Sequence, residues 1–198
     1  MCGLIALVLL VFGGFFGFTV AENQMLSVPA MAHALLAPTQ GSACASSPSG
    51  QDIDNMLAFV GDSFEPEIWM RQISSDSTRT SGVWTARSLG ASASLAYLHY
   101  DCGVTQEQID QYFGAENFKI MFSHYSSYKQ TAECQAAGLK LDEFDTVFSG
   151  FNYHALLWGE QVSPTRIIGL VLVFPSSQQA KQADYARHLF PDLSTCAP

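Results

Sequence analysis

The stretch FNYHALLWGEQVSPTRIIGLVLVFP, residues 151–175, constrains the fold of this chain more than any other. Its second half, Ile167 to Phe174, is eight residues without a polar side chain. That run is too short to span a bilayer as a helix and too uniformly apolar for an amphipathic one. Pro164 precedes it and Pro175 ends it, which argues against a longer helix. It reads as a strand covered on both faces. The first half, Phe151 to Trp158, reads as a strand with two distinct faces. One carries Phe151, Tyr153, Ala155 and Leu157; the other carries Asn152, His154, Leu156 and Trp158. Residues 159–164 between the halves suit a hairpin loop.

Around this pair the remaining elements are placed by local signals. Met56 to Val60 is a short apolar run that periodicity leaves as helix or strand. Pro66, then Ile68 to Met70 and Ile73, predict a short helix, and residues 76–82 a loop. Between Trp84 and Tyr100, Leu89, Ala93, Ala96 and Tyr100 recur at helical spacing and predict a helix. Thr105 and Gln108 form a capping box, Val104 and Ile109 a hydrophobic staple, and Gly114 a stop for a second helix. Phe118 to Phe122 predicts a short third one. Tyr128 to Cys134 reads as a strand, and Glu143 to Trp158 as one long strand bent at Gly150, with a helix over Asp142 to Phe148 as the competitor. Ser176 or Ser177 caps a last helix to about Leu189, with Ala180, Ala183 and Ala186 inward. The expected class is α+β: N-terminal helices followed by an antiparallel sheet, with a strand pair at about 146–158 and 165–174 and a C-terminal helix.

Residues 4–20 are almost wholly apolar, and Thr19-Val20-Ala21 supplies the small residues read by a signal peptidase. The expectation is a signal peptide over residues 1–21, a flexible linker rich in Ala, Ser, Pro and Gly over 22–50, and one globular domain over 51–198. Met1-Cys2-Gly3 carries no Lys or Arg. An uncleaved anchor is therefore the competing reading, and a lipid anchor at Cys44, preceded by Gly41-Ser42-Ala43, a third. Cleavage leaves Cys44, Cys102, Cys134 and Cys196. An even number in an exported chain suggests two disulfides with three pairings; Cys102 with Cys134 and Cys44 with Cys196 is the first choice. Nine Lys and Arg against eighteen Asp and Glu give a formal charge of −9. That balance argues against nucleic acid or an anionic lipid surface as partner.

Chemistry is sparsely signalled. Phe59-Val60-Gly61-Asp62-Ser63-Phe64 resembles the first block of the GDSL, or SGNH, hydrolases. That resemblance implies a small esterase with Ser63 as nucleophile and its backbone N–H on the oxyanion. The same family carries an Asp-x-x-His whose His is the base. Here Asp184 and His188 are spaced one residue wider, and the family's parallel sheet is not the order of elements expected. A Gly-Asp-Ser tripeptide is otherwise a turn signal. Asn152, His154 and Trp158 on one strand face form the alternative candidate, a contact surface for an unknown small molecule or protein. Neither a zinc-ligand cluster nor a nucleotide-binding fingerprint occurs, so no metal or cofactor is expected. The resulting expectation is an exported, disulfide-stabilised, non-catalytic binding or interaction module, secreted or extracytoplasmic, with the Ser63 esterase as alternative.

Overall fold

The computed structural model describes residues 49–189, apart from 76–78, 115, 117, 120–122 and 137. The leader, the linker up to residue 48, Cys44 and Cys196 lie outside the described residues.

Helix α1 spans Gly50–Val60. Its capping box joins the Ser49 side chain to the Asp52 N–H and the Asp52 carboxylate to the Ser49 N–H at 2.7 Å. Strands β1 (Met70–Ser75), β2 (Arg79–Ala86) and β3 (Ala91–His99) follow. Then come α2 (Gln106–Phe113), β4 (Ser127–Ala136), β5 (Leu139–Phe148), β6 (Phe151–Ser163), β7 (Arg166–Pro175) and α3 (Gln179–Leu189). The seven strands form one sheet in the order β1-β2-β3-β7-β6-β5-β4, and every neighbouring pair is antiparallel. The α+β class and the antiparallel sheet with a C-terminal helix therefore hold, as does the capped helix at 105–113.

Four expectations are corrected. The segment 84–100 is not a helix but the end of β2, a turn and β3. Strand β3 is buried on both faces, with Ala93, Leu95 and Tyr97 to one side and Ala96 and Leu98 to the other. A two-sided strand built from small and apolar residues contains every helical spacing by accident, so the stripe at 89, 93, 96 and 100 carried no information. Gly90, at φ 61°, makes the turn that a helix would not contain. Residues 66–68 form a turn and 70–73 belong to strand β1, so no helix forms there either. Finally, the single long strand across Gly150 is two strands. Ser149 and Gly150 both have positive φ, 50° and 81°, the pattern of a tight two-residue hairpin turn. Residues 146–148 thus belong to β5, and the true pair is β6 with β7, closed at Pro164-Thr165. The helices do not precede the sheet as a block either, since three strands separate α1 from α2.

The core has two halves. On one face α2 lays Ile109 and Phe113 on Ala155, Leu157, Ile167 and Val171, beside Phe118 and Phe144. Gly159 and Gly169 face each other in the β6–β7 register, and a Cβ at either would stand 2.0 or 2.1 Å from the Phe113 ring. On the other face α1 and α3 cover Trp84, Leu95, Leu156, Trp158, Leu170 and Phe174. From α3 the inward residues are Gln182, Ala186 and Leu189; Ala180 and Ala183 are exposed, against expectation. Arg166 reaches across from β7 to Asp52 of α1 at 3.0 Å. Burial pushes the Asp52 carboxyl up, but bonds from Ser49 and Arg166 outweigh it and hold it below its ordinary value.

Candidate functional site

A pocket of about 410 Å³ opens where the loop after α1 meets α3. The loop contributes Asp62, Ser63, Glu65 and Ile68; Leu89 adds one wall; α3 contributes Lys181, Asp184, Tyr185 and His188.

The loop is held from both ends. Gly61 ends α1 at φ 51°, its N–H donating to the Leu57 carbonyl at 2.9 Å. The Ser63 N–H returns to Val60 O at 3.1 Å, and the Trp69 N–H to Glu65 O at 2.8 Å. These turns bury Phe64 and Trp69 while leaving Asp62 and Glu65 exposed. Phe64 and Trp69 pack at 4.9 Å between ring centroids, and Trp69 meets Tyr185 of α3 edge-on at 5.3 Å. A polar chain follows the same path. Trp69 Nε1 donates to the Tyr185 hydroxyl at 3.0 Å, which donates to Glu65 Oε2 at 3.0 Å. Burial, with the Glu65 charge adding to it, raises the Tyr185 pKa above the ordinary phenol value, and the Trp69 bond only partly offsets this. The phenol stays protonated and keeps donating.

Helix α3 is anchored through Gln182, which is 2% exposed. Its Nε2 donates to His154 O at 3.0 Å and to Leu172 O at 2.9 Å, and its Oε1 lies 2.6 Å from His154 Nδ1. Gln178 Nε2 adds a bond to Leu89 O at 3.0 Å, tying the wall residue Leu89 to the start of the helix.

The fold brings Ser63, Asp184 and His188 to one pocket. Ser63 is 8% exposed, whereas Asp184 and His188 are exposed on α3. Their spacing of four puts both on one helix face. The Asp184 carboxylate is held by Arg187. Among the described residues no hydrogen bond joins the three. Ser63 follows a helix, and the sheet is antiparallel throughout, so the GDSL-type parallel architecture is absent from the described residues.

The second candidate set is corrected. Asn152 is exposed at the strand end, but His154 is 3% exposed beneath Gln182 and Trp158 is fully buried, its Nε1 turned to Glu160 Oε2 at 3.3 Å. The three share a strand face, as read, but on it His154 lies under Gln182 of α3 and Trp158 is buried, so only Asn152 is exposed. Glu65, Ile68, Lys181 and Tyr185 were not foreseen. Lys181, Asp184 and His188 stand three, then four residues apart, a polar stripe that helical periodicity could have picked out.

Cys102 and Cys134 are both disulfide-bonded. Cys102 follows β3 and Cys134 lies on β4, with β7, β6 and β5 between those strands. In a flat sheet four strand steps amount to about 19 Å, while bonded cysteines hold their Cα atoms within about 7 Å. A bond between these two therefore requires the sheet to curl. Among the described residues no group of three His, Cys, Asp or Glu side chains is placed to hold a metal ion, and no helix is long and apolar enough to cross a membrane.

No protein-family model matches the chain, and no curated protein matches it. Among solved structures it is similar to LpqN of Mycobacterium tuberculosis, a protein involved in cell envelope biogenesis, at 9% identity and a TM-score of 0.35, over 59% of this chain and 72% of that one.

Proposed function

We propose that the protein is a non-catalytic binding module acting outside the cytoplasm, and that its site is the pocket between the 61–69 loop and α3. The observation that carries this is the convergence of apolar and acidic side chains there. Ile68, Leu89 and the Tyr185 ring supply apolar wall; Asp62, Glu65 and Asp184 supply three carboxylates against Lys181. A few charged groups in an apolar concavity of this size suit a small ligand, and the acidic excess favours a compact apolar molecule with an ammonium group. The apolar leader and the oxidised cysteines support export. Titration with phenethylamine, followed by backbone chemical shifts, tests the site. Shifts confined to residues 61–69 and 181–188, lost in Leu89→Arg, are expected; equal shifts with phenylacetate would refute the charge preference, and none with either would remove the site.

A second reading keeps Ser63 as a nucleophile, since Ser63, Asp184 and His188 line the same pocket. A fluorophosphonate probe decides it. Labelling that disappears in Ser63→Ala and in His188→Gln supports an esterase; absence of labelling leaves the binding module alone. Peptide mapping without reductant reads the disulfides: a Cys102–Cys134 peptide requires a curled sheet, whereas bonds to Cys44 and Cys196 would tie the two strand regions to the tails.

A further inference from the structure

We propose that His154 is a proton-controlled clasp on α3, holding the pocket wall in place when the imidazole is charged and loosening it when the imidazole is neutral.

The argument begins with Gln182. Its Nε2 is committed to two carbonyl acceptors, His154 O and Leu172 O, at 3.0 and 2.9 Å. The amide therefore cannot rotate without presenting its oxygen to two carbonyls. Oε1 is fixed toward His154 Nδ1, 2.6 Å away, and an amide oxygen only accepts. On its other side the ring turns Nε2 toward Glu143 Oε2 at 3.4 Å, a distance for an ion pair rather than a well-formed hydrogen bond. A buried ring thus sits between two acceptors. Neutral imidazole has one N–H and satisfies one of them, leaving a lone pair facing the other; imidazolium donates to both.

The charged surroundings agree. From β5, Glu143 and Asp145 face the ring, and Asp145 is its register partner. From β7 the partner is Phe174, and from α3 the contact is Gln182, both uncharged. Burial by itself lowers the His154 pKa, but the contacts with Glu143 and Gln182 and the charges of Glu143 and Asp145 outweigh it, leaving the pKa raised. A raised native value contributes stability that is fully present below the ordinary 6.5 and lost as pH rises through the native value. What α3 loses is the charged bond from Nδ1 to Gln182 Oε1, while the Gln182 Nε2 bonds to His154 O and Leu172 O remain, so the helix that carries Lys181, Asp184, Tyr185 and His188 of the pocket is loosened rather than released. The coupling to ligand rests on the proposed binding site; the clasp itself does not.

The test is an NMR titration of the His154 ring together with amide exchange of residues 179–189, corrected for the intrinsic pH dependence. His188 lines the same pocket, so a His188→Gln background isolates His154. Expected are a midpoint above 6.5, a severalfold loss of α3 protection through that midpoint, and a lower midpoint in Glu143→Gln. In His154→Gln the pH dependence of protection should vanish. A midpoint at or below the ordinary value, or α3 protection unchanged across it, overturns the clasp. The ligand arm compares phenethylamine affinity at pH about 5.5 and about 8.5, either side of the histidine range. Weaker binding at the higher pH, abolished by His154→Gln, supports the link. Loosening of α3 without any phenethylamine binding refutes the pocket reading and leaves the clasp standing; binding that ignores pH refutes the link.

Discussion

Over one face of the sheet, the Phe113 ring fills a notch left by two facing glycines, Gly159 and Gly169. Over the other, Gln182 ties α3 down by hydrogen bonds to a histidine and two strand carbonyls, and a pocket opens beside it. The first contact is steric and dry. It has one arrangement and no charge to titrate. The second is polar, directional and dependent on where protons sit. A helix held by ring-in-notch packing cannot shift without opening a cavity, whereas a helix held by an amide can loosen bond by bond. The pocket lies on the side where movement costs less.

Substitutions on each face can break this contrast. Phe113→Ala should cost most, about 3–5 kcal/mol in denaturant unfolding, because a fully buried ring is deleted over two glycines too small to fill its place. Gly159→Ala forces a methyl into the ring and should cost about 1–3 kcal/mol, part of it recovered by Phe113→Leu in the same chain. An additive pair would mean that the ring and the notch are not in contact. Gln182→Met keeps the volume and removes the polar anchor. It leaves buried carbonyls unpaired, at about 1–3 kcal/mol, and should speed amide exchange in α3 before it affects α2. Equal loosening of both helices would mean that the two faces hold their helices alike.

The smallest effect sharpens the contrast from the α2 side, where a buried charge cluster does exist. Asp142 is fully buried beside Lys140, which also pairs with Glu133, and Gln130 Nε2 donates to Asp142 Oδ1 at 2.9 Å. Burial, with Glu133 adding to it, raises the Asp142 pKa to about 6, against the pull of Lys140 and Gln130. The native state therefore holds this proton more tightly than the unfolded chain, and stability should fall as pH rises from about 3.8 to about 6. Asp142→Asn should flatten that part of the profile, leaving the His154-dependent part above it; a profile unchanged by the substitution would contradict the assignment.

These contrasts explain what the sequence disclosed. The α2 cap was legible because Thr105 and Gln108 satisfy each other within one turn, with no help from the rest of the chain. Strand β7 was legible because Ile167 to Phe174 admits no amphipathic helix. Strand β3 was not, since burial on both faces removes the alternation that marks a strand. Nor was the pair of positive-φ residues at Ser149-Gly150, because serine gives no local signal of left-handed backbone. Of the site, Ser63, Asp184 and His188 were picked out together only through a family resemblance, and their meeting depends on α3 returning to the α1 loop more than a hundred residues upstream. His154 was seen as a strand-face residue; its role as an anchor depends on Gln182, which no motif marks.

The strand order has a consequence for how the chain reaches this state. Strands β1 to β3 form one meander of neighbours in sequence, and β4 to β7 another. The seam between them, β3 on β7, pairs Ser92 with Val173 and His99 with Arg166. Each meander can assemble from short loop closures, while the seam alone must bring together residues far apart in the chain. Its registration is the step expected to slow folding most, and until it closes both meanders present an unpaired edge to other chains.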